Sequence, residues 1–140
     1  MARVAIAGGL AAALLLTAIV AWAALAPLPG GAREVVYVIP KGTASRQALG
    51  MTPAVLPDVM RFTVGVRDVL VLRNEDDVAA TFGPVRLEAG QTYRVPFRTP
   101  TRFQLACSVH EGGQVGIVVT AAPRRGWERV QWRVLNLIGR

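Results

Sequence analysis

Between Val4 and Ala32 the chain carries no charged side chain, and from Val4 to Ala26 it is apolar almost throughout. A stretch of that length has few places to go. A bilayer's hydrocarbon core takes a helix of about 20 apolar residues. A helix buried on all sides inside a protein needs thick surrounding layers, and the rest of a 140-residue chain is too small to supply them. Arg3 precedes the stretch, and Arg33 follows a break made by Pro27, Pro29, Gly30 and Gly31. Positive charge before the stretch predicts the amino terminus inside and the remainder outside, with Trp22 suited to the membrane interface. The alternative is a cleaved signal, for which Ala21-Trp22-Ala23 offers a small-residue site, whereas Pro27 blocks cutting after Ala26. The uncleaved anchor accounts better for the full apolar length. The expectation is a single-pass protein of the cell membrane with its domain on the extracytoplasmic side, or a secreted one if the segment is removed.

The net charge of +7 is not a property of the middle. Of the 16 basic residues only Lys41 is lysine; residues 33–121 hold ten basic and eight acidic groups, close to balance. Residues 122–140 hold Arg124, Arg125, Arg129, Arg133 and Arg140 against Glu128 alone. Basicity confined to a tail does not make the stripe or face that nucleic acid requires, and no nucleic-acid partner is expected. The organisation is therefore an anchor or signal with its linker over 1–32, a domain over 33–121 and a basic tail over 122–140.

Within the domain the apolar pattern has a period of two. Val35-Val36-Tyr37-Val38-Ile39 is a β-branched run ended by Pro40, Lys41 and Gly42. From Val59 to Val66, Met60, Phe62, Val64 and Val66 alternate onto one side, and Val69-Leu70-Val71-Leu72 follows. Tyr93 to Phe97, Phe103 to Ala106 and Val115 to Val119 supply further strands, while Thr43 to Pro57 reads as a long loop with at most one helical turn. About seven short strands with regular turn signals predict an all-β sandwich or barrel.

The one cysteine and the one histidine stand three apart in Ala106-Cys107-Ser108-Val109-His110, on the loop between the last two strands. One of each excludes an intrachain disulfide and a zinc site built of Cys and His alone. A thiolate with an imidazole suits copper, and an unpaired thiol in an exported protein is an oxidation liability that a metal or burial offsets. The other reading of this spacing is a buried cysteine acting as a small hydrophobe beside a surface histidine.

The series Ile39-Pro40-Lys41-Gly42-Thr43, Val64-Gly65, Asn74-x-Asp76, Thr81-Phe82-Gly83-Pro84, Ala89-Gly90-Gln91 and Cys107-x-x-His110 with Gly112 and Gln114 resembles the cupredoxins, the blue-copper proteins of the plastocyanin type. The resemblance covers residues 34–121 and implies a Greek-key β-sandwich with a metal pocket at one end. Type 1 copper in that family is held by a His, a Cys, a second His and a weak axial Met or Gln. The resemblance assigns Cys107 to the thiolate, His110 to the second imidazole and Gln114 to the axial donor. The place of the first histidine is Ala80, and the chain has no other histidine to fill it. A trigonal His₂Cys plane is what the electron-transfer site needs. The implied site is therefore degenerate.

Other candidates are weaker. Met60 lies in a strand pattern and reads as core; Met51 lies in the loop as a possible thioether donor. Glu75-Asp76-Asp77 reads as a turn in which Asp76 bonds its own backbone, not as a calcium site. No nucleophile triad or phosphate loop is present, and no enzyme activity is expected. In the tail, Trp127, Val130, Val134, Leu137 and Ile138 recur on one helical face, the pattern of a basic amphipathic helix that lies in a membrane interface. Taken together, the sequence predicts a Greek-key β-sandwich preceded by a transmembrane or signal helix and followed by a short amphipathic helix. Membrane contact is expected through residues 4–26 and, as a further candidate, 127–138. The first functional expectation is a copper-binding or electron-transfer module with a degenerate site and a redox or copper-exchange protein partner. The alternatives are a metal-free structural or interaction domain and a cuprous-ion carrier.

Overall fold

The computed structural model describes residues 2–28, 33–51 and 55–138, with side chains of the first helix from Ala11 onward. In chain order the elements are α1 (Ala2–Leu25), β1 (Glu34–Ile39), α2 (Thr43–Ala48), β2 (Val59–Thr63), β3 (Val69–Asn74), β4 (Ala80–Phe82), β5 (Val85–Leu87), β6 (Thr92–Pro96), β7 (Thr101–Ala106), β8 (Gln114–Thr120) and α3 (Trp127–Ile138). They divide into two units, Met1–Leu28 with Pro123–Arg140, and Pro29–Ala122.

The helical unit is α1 and α3. Alanine and leucine, which form helix at least cost, dominate α1, and Pro27, lacking an N–H, stands where the helix has stopped. Leu14, Leu15, Leu16 and Ile19 are all exposed. Among the described residues no helix is long and apolar enough to cross a membrane. The expected span starts at Val4, so its first turns, like the Pro29–Gly31 break, fall outside the described side chains.

The second unit is a β-sandwich, as its alternating runs predict. One sheet has the order β1-β3-β6 and the other β2-β8-β7, with β4-β5 as a separate hairpin. β1 lies parallel to β3 and β2 parallel to β8; the pairs β3–β6 and β7–β8 are antiparallel. Met60 and Phe62 of β2, Leu70 and Leu72 of β3, and Val115, Ile117 and Val119 of β8 join one buried cluster. Full burial of such side chains contributes roughly 1.5–3 kcal/mol each. Surface pairs such as Lys41–Asp77 and Arg86–Glu88 are mostly exposed and add about 0–1 kcal/mol. Apolar burial therefore decides the fold.

Two local features differ from the sequence pattern. β2 stops at Thr63 instead of running to Val66, because the amides of Val66 and Arg67 both donate to Thr63 O at 3.0 Å in a tight reversal. Gly65 takes φ +76° at that turn, a backbone region that favours glycine. The three-residue strands β4 and β5 are additional to the runs read from sequence. The short helical turn expected within the Thr43–Pro57 loop is α2, at its start.

Two buried carboxylates hold chain segments together. Asp76 accepts from the Gly42 amide at 2.7 Å, the Ala44 amide at 2.8 Å and the Asp77 amide at 2.9 Å. It therefore pins α2 to the end of β3 and is more than a local turn residue. Asp68 accepts from Arg33 Nε at 2.8 Å and from the Gly65 amide at 2.8 Å. Hydrogen bonds from the Ala44 amide hold the Asp76 carboxyl below the usual carboxylate range, and the Arg33 hydrogen bond does the same for Asp68. Because the folded values are depressed, the stability these carboxylates add is complete above about pH 4 and is lost as pH falls through the folded values. Urea midpoints measured from pH 6 downward should stay level to about pH 4 and then drop, and Asp76→Asn should flatten part of that drop.

Candidate functional site

The end of the sandwich that carries Cys107 and His110 is built from β4 and the loop joining β7 to β8. Gly83 N donates to Ala106 O at 2.7 Å, Ser108 N to Thr81 O at 3.0 Å, and Thr81 N to Ser108 Oγ at 2.8 Å. A bridge pairs Phe82 with Cys107. These contacts lock residues 107 and 108 against β4. The loop then closes on itself, with Cys107 N donating to Gly113 O and Gly113 N to His110 O, both at 2.9 Å.

Cys107 is buried among apolar side chains at 2% exposure. Burial pushes its thiol up, and backbone hydrogen bonds from Val109 and His110 act in the opposite direction. Ala80 is buried in the same cluster, one step along β4 from the Thr81 contacts. The structure thus brings the methyl of Ala80 and the thiol of Cys107 to one end of the core.

His110 is anchored at both ring nitrogens. Nδ1 accepts from the Gly112 amide at 3.1 Å, so Nδ1 carries no proton. Nε2 is then the protonated nitrogen and lies 3.1 Å from Asp58 Oδ1. The contact is a hydrogen bond from the neutral ring to a carboxylate that is 94% exposed, and it fixes the ring's direction. Neither Asp58 nor the Gly112 amide stands out in the sequence. Asp58 lies 52 positions before the histidine, and a main-chain donor leaves no composition signal.

Gln114 is differently placed. It opens β8 opposite Ala106, and both side chains are exposed, whereas the next residue, Val115, is fully buried. Alternation along the strand therefore turns Gln114 to the face away from the core. Continuing the ladder one step puts Gly113, which has no side chain, across from Cys107. Met60 is core, fully buried in β2, and Met51 is exposed. Of the acidic run, Asp76 is taken up by the Gly42 and Ala44 amides, and Asp77 and Glu75 make exposed pairs with Lys41 and Arg73. Among the described residues no group of three or more His, Cys, Asp or Glu could hold a metal ion. One thiol, one imidazole tied at both nitrogens, a methyl group and an outward glutamine do not fit a trigonal His₂Cys copper site.

No protein-family model matches the chain, and no curated protein does. Several solved structures are similar to it. A purple cupredoxin from Nitrosopumilus maritimus is 19% identical over 61% of this chain and 99% of its own, at a TM-score of 0.42. An oxidised amicyanin variant is 14% identical over 64% of this chain and 84% of its own, at 0.40. A chain of a heme-copper terminal oxidase dimer is 14% identical over 84% of this chain and 97% of its own, at 0.35.

Proposed function

We propose that this protein is a cupredoxin-like interaction module, held on the extracytoplasmic side of a membrane by α1, in which the copper end of the fold has become structural. It catalyses no reaction and recognises a protein partner. One observation carries the reading: both nitrogens of the single histidine are already bound within the protein, to the Gly112 amide and to Asp58. The buried methyl of Ala80 supports it, since a methyl stands where the resemblance calls for an imidazole. Anchoring rests on the uncharged run from Val4 to Ala26 and on Arg3 before it.

A second reading keeps copper. It is favoured by the Val109 and His110 amides directed at the Cys107 sulfur, which stabilise a thiolate. In that reading Cys107 and His110 hold a cuprous ion weakly and exchange it with a protein partner. Titrating the full chain with cupric and then cuprous ions, followed by visible spectroscopy and bound-metal stoichiometry, separates the two. The first reading expects no thiolate-to-copper band and no stoichiometric binding of either ion. One cuprous ion per chain, lost in Cys107→Ser, would establish the second.

A further inference from the structure

We propose that α3 is a membrane-interface helix clamped to the end of α1, with its uncovered apolar face seated at the acyl–headgroup boundary of a lipid bilayer. The proposal rests on the reading of α1 as an anchor and adds a second contact of different chemistry. The last carbonyls of a helix have no partners within it. Where a helix leaves a bilayer, such groups need donors that the hydrocarbon cannot offer.

Here α3 supplies them: Arg129 Nη1 reaches Leu25 O, in the last turn of α1, at 3.4 Å, and the arginines of α3 also bond the two carbonyls that follow the helix. Arg129 Nη1 donates to Ala26 O at 2.8 Å, and Arg133 Nη2 donates to Ala26 O at 3.1 Å and Pro27 O at 3.0 Å. Gly126 N donates to Ala24 O at 3.1 Å, so the start of α3 is tied to the same turn. The Arg133 guanidinium lies 4.8 Å from the centre of the Trp22 ring, a cation–π contact at the depth where Trp side chains prefer to sit. Two cations at the C-terminal end of α1 also offset its negative dipole end.

With its arginines turned to α1, α3 has no partner for its apolar side among the described residues. Trp127, Leu135, Leu137 and Ile138 are each about two-thirds or more exposed. Trp127, Val130, Gln131, Val134 and Leu135 line an apolar groove of about 440 Å³. Lipid is the occupant that the surroundings select. The face belongs to a helix fixed at the exit end of the anchor, and Arg124 and Arg125 just before it match anionic headgroups.

The test uses the full chain reconstituted in mixed vesicles of anionic phosphatidylglycerol and phosphatidylcholine, the latter brominated in the acyl chains near the headgroup. With Trp22→Phe and Trp132→Phe, Trp127 alone reports; with Trp127→Phe and Trp132→Phe, Trp22 alone reports. The proposal expects blue-shifted Trp127 emission, quenched about twofold relative to unbrominated vesicles, as for a side chain at the acyl boundary. Adding Arg129→Gln and Arg133→Gln should abolish most of that quenching and leave Trp22 quenched. Quenched Trp22 with unquenched Trp127 would overturn the proposal and leave the anchor standing. Trp127 that is blue-shifted but unquenched, with shift growing with protein density, would overturn it in favour of a second copy. Quenching of neither would overturn the anchor and the proposal together. Quenching of Trp127 that survives the arginine changes would overturn the clamp.

Discussion

Asn74→Ala is expected to destabilise the sandwich by about 3 kcal/mol or more, seen as a lower urea midpoint at an unchanged slope. Asn74 closes β3 and is fully buried. Its carboxamide nitrogen donates to Val78 O at 2.9 Å, Leu87 O at 3.0 Å and Glu88 O at 3.2 Å, and its oxygen accepts from the Asp76 amide at 3.1 Å. One side chain therefore ties the end of β3 to the strand β5 and to the turn that positions Asp76. Alanine leaves those main-chain groups in the interior without a partner, and each orphaned group costs roughly 1–3 kcal/mol. Asn74→Asp should be no better, because a carboxylate would face the same carbonyl oxygens. A loss below about 1 kcal/mol for Asn74→Ala would show that water reaches these groups and that the hub is not what joins the two segments.

Ala80→His is expected to convert the Cys107 end into a copper site, with an intense thiolate-to-copper band that the parent lacks. The added imidazole would enter the cluster that holds Cys107, from a strand whose neighbour Thr81 is bonded to Ser108 in both directions. A third ligand in place of a methyl should raise copper affinity by more than about tenfold, which corresponds to about 1.4 kcal/mol. Without metal the same variant should be less stable by about 1–3 kcal/mol, because an imidazole overfills a space shaped for a methyl. Copper should then restore the lost stability, a paired signature that unfolding with and without the ion would reveal. A variant that binds copper no better than its parent would mean that a missing imidazole at position 80 is not what keeps copper out.

Much of the fold was legible because long β-branched runs declare themselves. β1, β3, β6, β7 and β8 each overlap a run with strand composition, and the tail's 3.6-residue recurrence coincides with α3. The hairpin β4–β5 was not, since three residues per strand are too few to establish a period of two. At the candidate site, Cys107, His110 and Ala80 could be named from the sequence, but what their neighbours do could not. Strand register decides that Gln114 faces outward, and a single-residue difference reverses it. The Asp58 and Gly112 contacts of His110, the reach of Asp76 to Gly42, and the Arg129 and Arg133 donors on α1 all depend on how distant segments come together.

The hydrogen bond from Gly126 to Ala24 has one more consequence. It joins residues on either side of the whole sandwich, so the domain is an insert within a helical hairpin and is tethered at both ends. A protease that nicks the chain once, in 29–32 or in the stretch between Thr120 and Pro123, leaves both fragments held together through α1 and α3. Freeing the domain from α1 requires a cut in 29–32 together with either a second cut before Pro123 or release of the Arg129 and Arg133 contacts.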